Sequence, residues 1–207
     1  VQEGRIVSHH LGVLIIDNTP DGSSADRPDD DEVDNFYLDV LRPFNISALW
    51  DRADSLRIES TVSDADLAPY ELVLIHSDGV NASFSEYISA IEKYISNGGK
   101  VLFTGLRLSS VVGGKREYSN QFVQGEFIKE FFGIDSIKVS FPGRNWFIGA
   151  TGLAGYPSIE FDFERIPDRE GQIFMDAIIN EDPIPGSEII ATYVSADGDE
   201  SDFHGKA

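Results

Sequence analysis

Asn97-Gly98-Gly99-Lys100-Val101-Leu102-Phe103-Thr104-Gly105-Leu106-Arg107 holds a helix end, a buried strand and a strand-end loop in one short stretch. The two leading glycines close a run with helical spacing, and glycine readily takes the positive φ that a helix C-cap requires. Val101, Leu102 and Phe103 form an uninterrupted apolar run, as expected of a strand covered on both faces. Thr104, Gly105 and Arg107 then fall at the carboxyl end of that strand, where open α/β sheets carry their sites.

Outward from this stretch the same grammar repeats. Ser83-Phe84-Ser85-Glu86 has capping-box spacing, and Phe84, Tyr87, Ile88, Ile91 and Ile95 share one helical face leading into Asn97. Glu71-Leu72-Val73-Leu74-Ile75-His76-Ser77-Asp78 is apolar and then abruptly polar, a strand with a polar end. Leu11-Gly12-Val13-Leu14-Ile15-Ile16, ending in Asp17-Asn18, has the same form. Residues 17–34 carry eight acids against Arg27, together with Pro20, Gly22 and Pro28, and read as a long loop. Val33, Phe36, Tyr37, Val40, Leu41 and Phe44 then fall on one helical face, with acids in the first turn where the helix dipole favours them. Residues 45–51 read as a shorter strand. A loop over 109–119 precedes a helix expected over 120–132, with Phe122, Val123, Phe127 and Phe131 inward and Gly133 as its cap.

This order, strand, helix, strand, strand, helix, strand, helix, predicts a three-layer α/β domain with a mainly parallel sheet of about four strands. Leu14, Ile15, Leu74, Ile75, Leu102 and Phe103 are expected to be nearly fully buried in adjacent strands. After Ser136 the pattern changes. Ile137-Lys138-Val139-Ser140-Phe141, Ile159-Glu160-Phe161-Asp162-Phe163-Glu164 and residues 188–194 alternate apolar with polar, which predicts additional half-exposed, antiparallel or edge strands. Residues 1–10 read as a linker or chain boundary, 11–195 as one α/β domain, and 196–207 as an acidic tail or a truncated domain end.

Composition narrows the partners. Hydrophobic residues at 41% and aromatics at 11% describe a globular chain despite a formal charge of −20. That charge repels phosphate backbones and anionic lipid surfaces, so neither nucleic acid nor membrane is an expected partner. With no cysteine, the chain has no disulfide, thiolate nucleophile or Cys-based zinc site. No phosphate-binding glycine loop follows any of the strands.

The strand ends nominate Asp17, Asn18, His76 and Asp78 as ligand-binding candidates, with Thr104, Gly105 and Arg107 from the opening stretch. His76 reads as a general base, a pocket residue or a structural hydrogen-bonding histidine. Asp17-Asn18-Thr19-Pro20-Asp21-Gly22 opens like a calcium loop, where oxygens at alternate positions converge and glycine permits the turn. Pro28 replaces the Glu that would close an EF-hand, so Asp17 and Asp21 are candidate Ca2+ ligands without that framework.

Four segments together resemble the class I glutamine amidotransferase-like, flavodoxin-like domains of secreted bacterial proteins, including accessory domains of extracellular peptidases. They are the opening strand at 11–17, residues 71–78 after Ala68-Pro69-Tyr70, the helix running into Asn97 through Gly105, and Thr192-Tyr193 followed by Phe203-His204-Gly205-Lys206. The resemblance implies a secreted or cell-surface bacterial protein. In active members a Cys occupies the turn after the strand corresponding to 100–104; here only Thr104 stands near it, so thioester-based ammonia transfer is excluded.

The resulting expectation is a non-catalytic accessory or interaction domain of a larger secreted protein, partnered by other domains of its parent chain, a protein or a small ligand. The alternative is a hydrolase or small-ligand-binding domain using the crevice at Asp17, His76 and Thr104. A buried, convergent polar cluster there favours the alternative, and a plugged crevice favours the first reading. In domains of this kind the segment like residues 203–206 leads into a further strand, so an open edge is expected along residues 187–195.

Overall fold

In the computed structural model the residues described are 9–18, 30–44, 46–51, 62–77, 87–105, 112, 119–140, 146–160, 173–174 and 178–207. They fall into two compact units, residues 1–114 and 115–207. Together these form a mixed α/β fold: a parallel sheet in the first unit and antiparallel sheets built from later strands in the second.

In the first unit, strands β1 (Leu11–Asp17), β2 (Ile46–Asp51), β3 (Tyr70–Ser77) and β4 (Lys100–Gly105) lie in the order β2-β1-β3-β4, every pair parallel. Helix α1 (Asp30–Leu41) follows β1, the short α2 (Asp64–Leu67) precedes β3, and α3 (Ile88–Ser96) precedes β4. Register aligns Val13 with Leu72, Ile15 with Leu74 and Asp17 with His76. It continues from Leu74 to Leu102 and from His76 to Thr104.

Strand alternation assigns these residues to one face. There Val13, Ile15 and Leu74 pack with Leu41 of α1, flanked by Tyr37, Leu38 and Leu72. Leu14, Ile16, Val73 and Ile75 point the other way and are buried as well, so the central strands have no wet side. Each such aliphatic side chain stabilises the fold by roughly 1.5–3 kcal/mol relative to exposure.

Leu102 departs from expectation. Leu14, Ile15, Leu74, Ile75 and Phe103 are buried, but Leu102 is 45% exposed. Its strand is the outermost of the described sheet, with a neighbour on one side only. Helix α1 also differs from its sequence reading. It begins at Asp30, inside the stretch expected to be loop, and Phe36, Val40 and Phe44 are exposed. The residues it turns inward are Tyr37, Leu38 and Leu41, a stripe rotated from the one expected. Helix α3 ends as the opening stretch predicts: Gly98 has φ +91° and its N–H donates to the Ile95 carbonyl at 2.9 Å. The capping box at 83–86 lies outside the described residues.

The second unit holds β5 (Ser119–Gln121), α4 (Phe127–Phe132), β6 (Ile134–Ser140), β7 (Trp146–Gly152), β8 (Ile159–Glu160), β9 (Ile173–Phe174), β10 (Ile178–Pro183) and β11 (Ala191–Ser195). One sheet runs β10-β6-β5 and the other β11-β7-β8, with β9 also on β7; all pairs are antiparallel. The helix expected over 120–132 is confined to its second half. The Phe122 N–H donates to the Asp135 carbonyl at 2.8 Å, which holds residues 119–122 extended against β6. Phe122 is buried with Ile128, Ile134 and Ile137, while Val123 is 62% exposed rather than inward.

The outer edge of β11, expected to be open, is paired. The Tyr193 N–H donates to the Lys206 carbonyl at 2.8 Å, and the Gly205 N–H donates to the Tyr193 carbonyl at 2.9 Å. Phe203 is fully buried, its ring edge-on to Tyr193. Among the described residues no helix is long and apolar enough to cross a membrane.

Candidate functional site

The register of the parallel sheet creates the candidate site. Asp17, His76 and Thr104 occupy matching positions at the carboxyl ends of β1, β3 and β4, so their side chains leave the sheet on the same face. In each strand an apolar run leads up to that point, so the polar residues sit where the apolar packing ends. This is the face that α1 covers, and the first turns of α1 lie toward these strand ends. Asp34 and Tyr37, three residues apart and hence on one side of the helix, are thereby brought onto His76.

His76 is the centre of the cluster and is fully buried. Its Nδ1 lies 3.3 Å from Asp17 Oδ1 and its Nε2 lies 3.2 Å from Asp34 Oδ1. The Tyr37 ring is stacked on the imidazole, with centroids 4.6 Å apart and planes 21° from parallel. Thr104 Oγ1 donates to the Tyr37 hydroxyl at 2.6 Å, which fixes the phenol over the histidine. Asp17 is also fully buried, and the Asp34 side chain is 16% exposed. One ring nitrogen, one Asp17 oxygen and one Asp34 oxygen all lie within 4.8 Å of one another.

A buried carboxylate is tolerated only where cationic or hydrogen-bonding groups compensate its lost hydration. Here an imidazole stands between two such groups, and a protonated ring would compensate one of the two charges. The histidine is enclosed: a carboxylate stands at each nitrogen, a phenol covers one face, and the Thr104 hydroxyl is directed to Tyr37. As a general base it would need a substrate or nucleophile proton within about 2.6–3.2 Å, and the ring has no exposed surface for one to approach.

The other sequence candidates are placed differently. Asn18 and Gly105 follow Asp17 and Thr104 and belong with Ser77 on the opposite side of the strand ends. The Asn18 N–H extends the β1–β3 ladder by donating to the His76 carbonyl at 2.9 Å, and its Nδ2 donates to Ser77 Oγ at 3.2 Å. Gly105 has φ +136°, and a Cβ there would fall 2.1 Å from the Ser77 carbonyl oxygen. The close approach of Ser77 leaves no room there for a side chain. Asp78, Arg107 and Asp21 lie outside the described residues.

His204, the other histidine of the sequence resemblance, accepts a hydrogen bond at Nδ1 from the Ser195 N–H at 3.1 Å and ties the chain end to β11. Asp34 and Tyr37 are not among the sequence candidates: residues 17–34 read as loop, and Tyr37 reads as part of the apolar face of the following helix. The signal was present: residues 34, 37, 38 and 41 follow the i, i+3, i+4, i+7 spacing of a single helical stripe, with the carboxylate at its start. Comparison of the chain with family models, with curated proteins and with solved structures gives no match.

Proposed function

We propose that this chain is a non-catalytic accessory or interaction domain of a larger secreted bacterial protein. Its first unit would be a three-layer, flavodoxin-like variation on the class I glutamine amidotransferase-like design. The observation that carries this reading is the enclosure of the strand-end cluster: α1 fills the crevice with Asp34 and Tyr37, and His76 has no exposed surface. The sequence supports it from another side, since a chain without cysteine has no thiol to place after β4. The net charge of −20 favours a protein or small-ligand partner over nucleic acid or an anionic membrane.

A hydrolase or small-ligand-binding domain is the second reading, favoured by the convergence of Asp17, His76 and Thr104 at matching strand ends. The two separate experimentally. Purified protein incubated with L-glutamine, p-nitrophenyl acetate and simple peptide amides is expected to give no turnover above the buffer rate. Turnover that disappears in His76→Gln, with circular dichroism unchanged, would overturn the first reading in favour of the second.

A further inference from the structure

The geometry points to Asp17, Asp34 and His76 as the protein ligands of a divalent transition-metal ion that fastens α1 to the carboxyl ends of β1 and β3. Three independent elements deliver the three donors: β1 supplies a carboxylate, β3 an imidazole and α1 a second carboxylate. One ring nitrogen and one oxygen of each carboxylate lie within 4.8 Å of one another, and the shortest contacts, 3.3 Å at Nδ1 and 3.2 Å at Nε2, fall on opposite ring nitrogens. Ligands bound at about 2.0–2.2 Å to one tetrahedral or octahedral ion stand roughly 3.0–3.5 Å apart, so one ring nitrogen takes the ion and the carboxylate beside the other nitrogen swings toward it to complete the trio.

Charge leads to the same class of ligand. With a neutral ring, the two carboxylates carry a charge of −2 in a site where Asp17 and His76 are fully buried, and one divalent cation brings the cluster to neutrality. The imidazole selects among cations. Calcium and magnesium prefer all-oxygen shells, whereas a mixed nitrogen and oxygen set suits zinc, cobalt or manganese. Three protein donors leave at least one coordination position for water. Tyr37, stacked on His76 and held by Thr104, sets the orientation of the ring, as outer groups around metal-bound histidines do. The role is structural, so this inference stands apart from the catalytic question.

The test is titration of EDTA-treated, full-length chain with Co2+, followed by its visible absorption. One equivalent is expected to bind, with the band displaced by Zn2+ but not by Ca2+. Asp34→Asn and His76→Gln are each expected to weaken Co2+ binding at least ten-fold, whereas Asp21→Asn leaves it unchanged. Asp34→Asn keeps shape and size at a position that is not fully buried, so it decides the matter even if His76→Gln does not fold. Absence of saturable Co2+ binding, wild-type affinity in folded Asp34→Asn, displacement by Ca2+, or loss of binding in Asp21→Asn would each overturn the assignment.

Discussion

Tyr37 lies nearly parallel to His76, ring centroids 4.6 Å apart, and its hydroxyl accepts a hydrogen bond from Thr104. One aromatic side chain of α1 therefore spans β3 and β4 and covers the only buried histidine among the described residues. Removing the ring in Tyr37→Ala should cost up to about 3 kcal/mol, the low end of a core aromatic-to-alanine loss, because the ring is only partly buried. Tyr37→Phe keeps the stack and loses only the hydroxyl contact, so about 1 kcal/mol is expected. Urea denaturation of the two variants checks the ranking; equal losses would show that the hydroxyl, rather than the stack, holds the helix.

Two glycines in the first unit should respond differently to alanine. Gly98 has φ +91° with open space around it, so Gly98→Ala carries only the left-handed backbone penalty, about 1–2 kcal/mol. Gly105 has φ +136° and its Cβ would collide with the Ser77 carbonyl oxygen at 2.1 Å. Gly105→Ala should exceed Gly98→Ala by at least about 1 kcal/mol, read as a larger fall in the denaturation midpoint.

Phe203 is fully buried in the second unit, and residues 205 and 206 pair with Tyr193. Phe203→Ala is expected to destabilise by about 3–5 kcal/mol. Deleting residues 203–207 should go further, because it also frees the backbone groups of Tyr193 on the β11 edge. Light scattering is the measurement: self-association should appear in the deletion and not in Phe203→Ala, and its absence would show that this edge is protected in some other way.

Stability should fall in alkaline solution. Burial raises the Tyr94 phenol above its ordinary value of 10.0 and the negative charge of Glu71 adds to this, while a backbone hydrogen bond at Lys100 works the other way. Burial raises Tyr193 likewise, helped by the charge of Glu181. Both groups are neutral in the folded and unfolded chain well below pH 10.0, so they add no pH dependence there. Above that value the unfolded chain loses these protons first, and stability drops until the folded-state values are passed. Thermal melts across this range should show a steeper decline for the wild type than for Tyr94→Phe or Tyr193→Phe. Parallel slopes would mean that other groups dominate.

Glutamine hydrolysis should be undetectable by ammonia release, because the thioester route requires a thiol and the chain contains no cysteine. Release above the buffer rate from pure protein would require a nucleophile of another kind.

Much of the parallel sheet was legible because its strands are short apolar runs ending in polar residues, and the Gly98 cap was legible because few other residues take that backbone. The trio Asp17, His76 and Thr104 followed from the rule that sites lie at strand ends. Asp34 was obscured by the acids around it: composition makes residues 17–34 look like solvated loop, and only packing against β1 and β3 reveals where the helix begins. The stripe containing Phe36 and Val40 failed for a related reason, since helical periodicity allows neighbouring faces to look equally apolar and the sheet selects between them. In residues 119–132 the aromatic spacing suited a helix, but pairing with β6 prevailed over local preference.

The matching positions of Asp17, His76 and Thr104 have a consequence for folding specificity. Strands whose two faces are both apolar, such as Val13-Leu14-Ile15-Ile16 and Val73-Leu74-Ile75, offer little penalty for sliding past one another, because every displaced Leu or Ile meets another of its kind. A slip of one residue would turn His76 to the far face and leave Asp17 buried opposite Ile75 or Ser77. A slip of two would set either Leu74 or Asp78 opposite Asp17, an aliphatic side chain or a further carboxylate in place of the imidazole. The polar residues at the strand ends therefore act as a positional key: their pairing tolerates one alignment of β1, β3 and β4, and the hydrophobic sequence that precedes them is free to vary in detail so long as that alignment is kept.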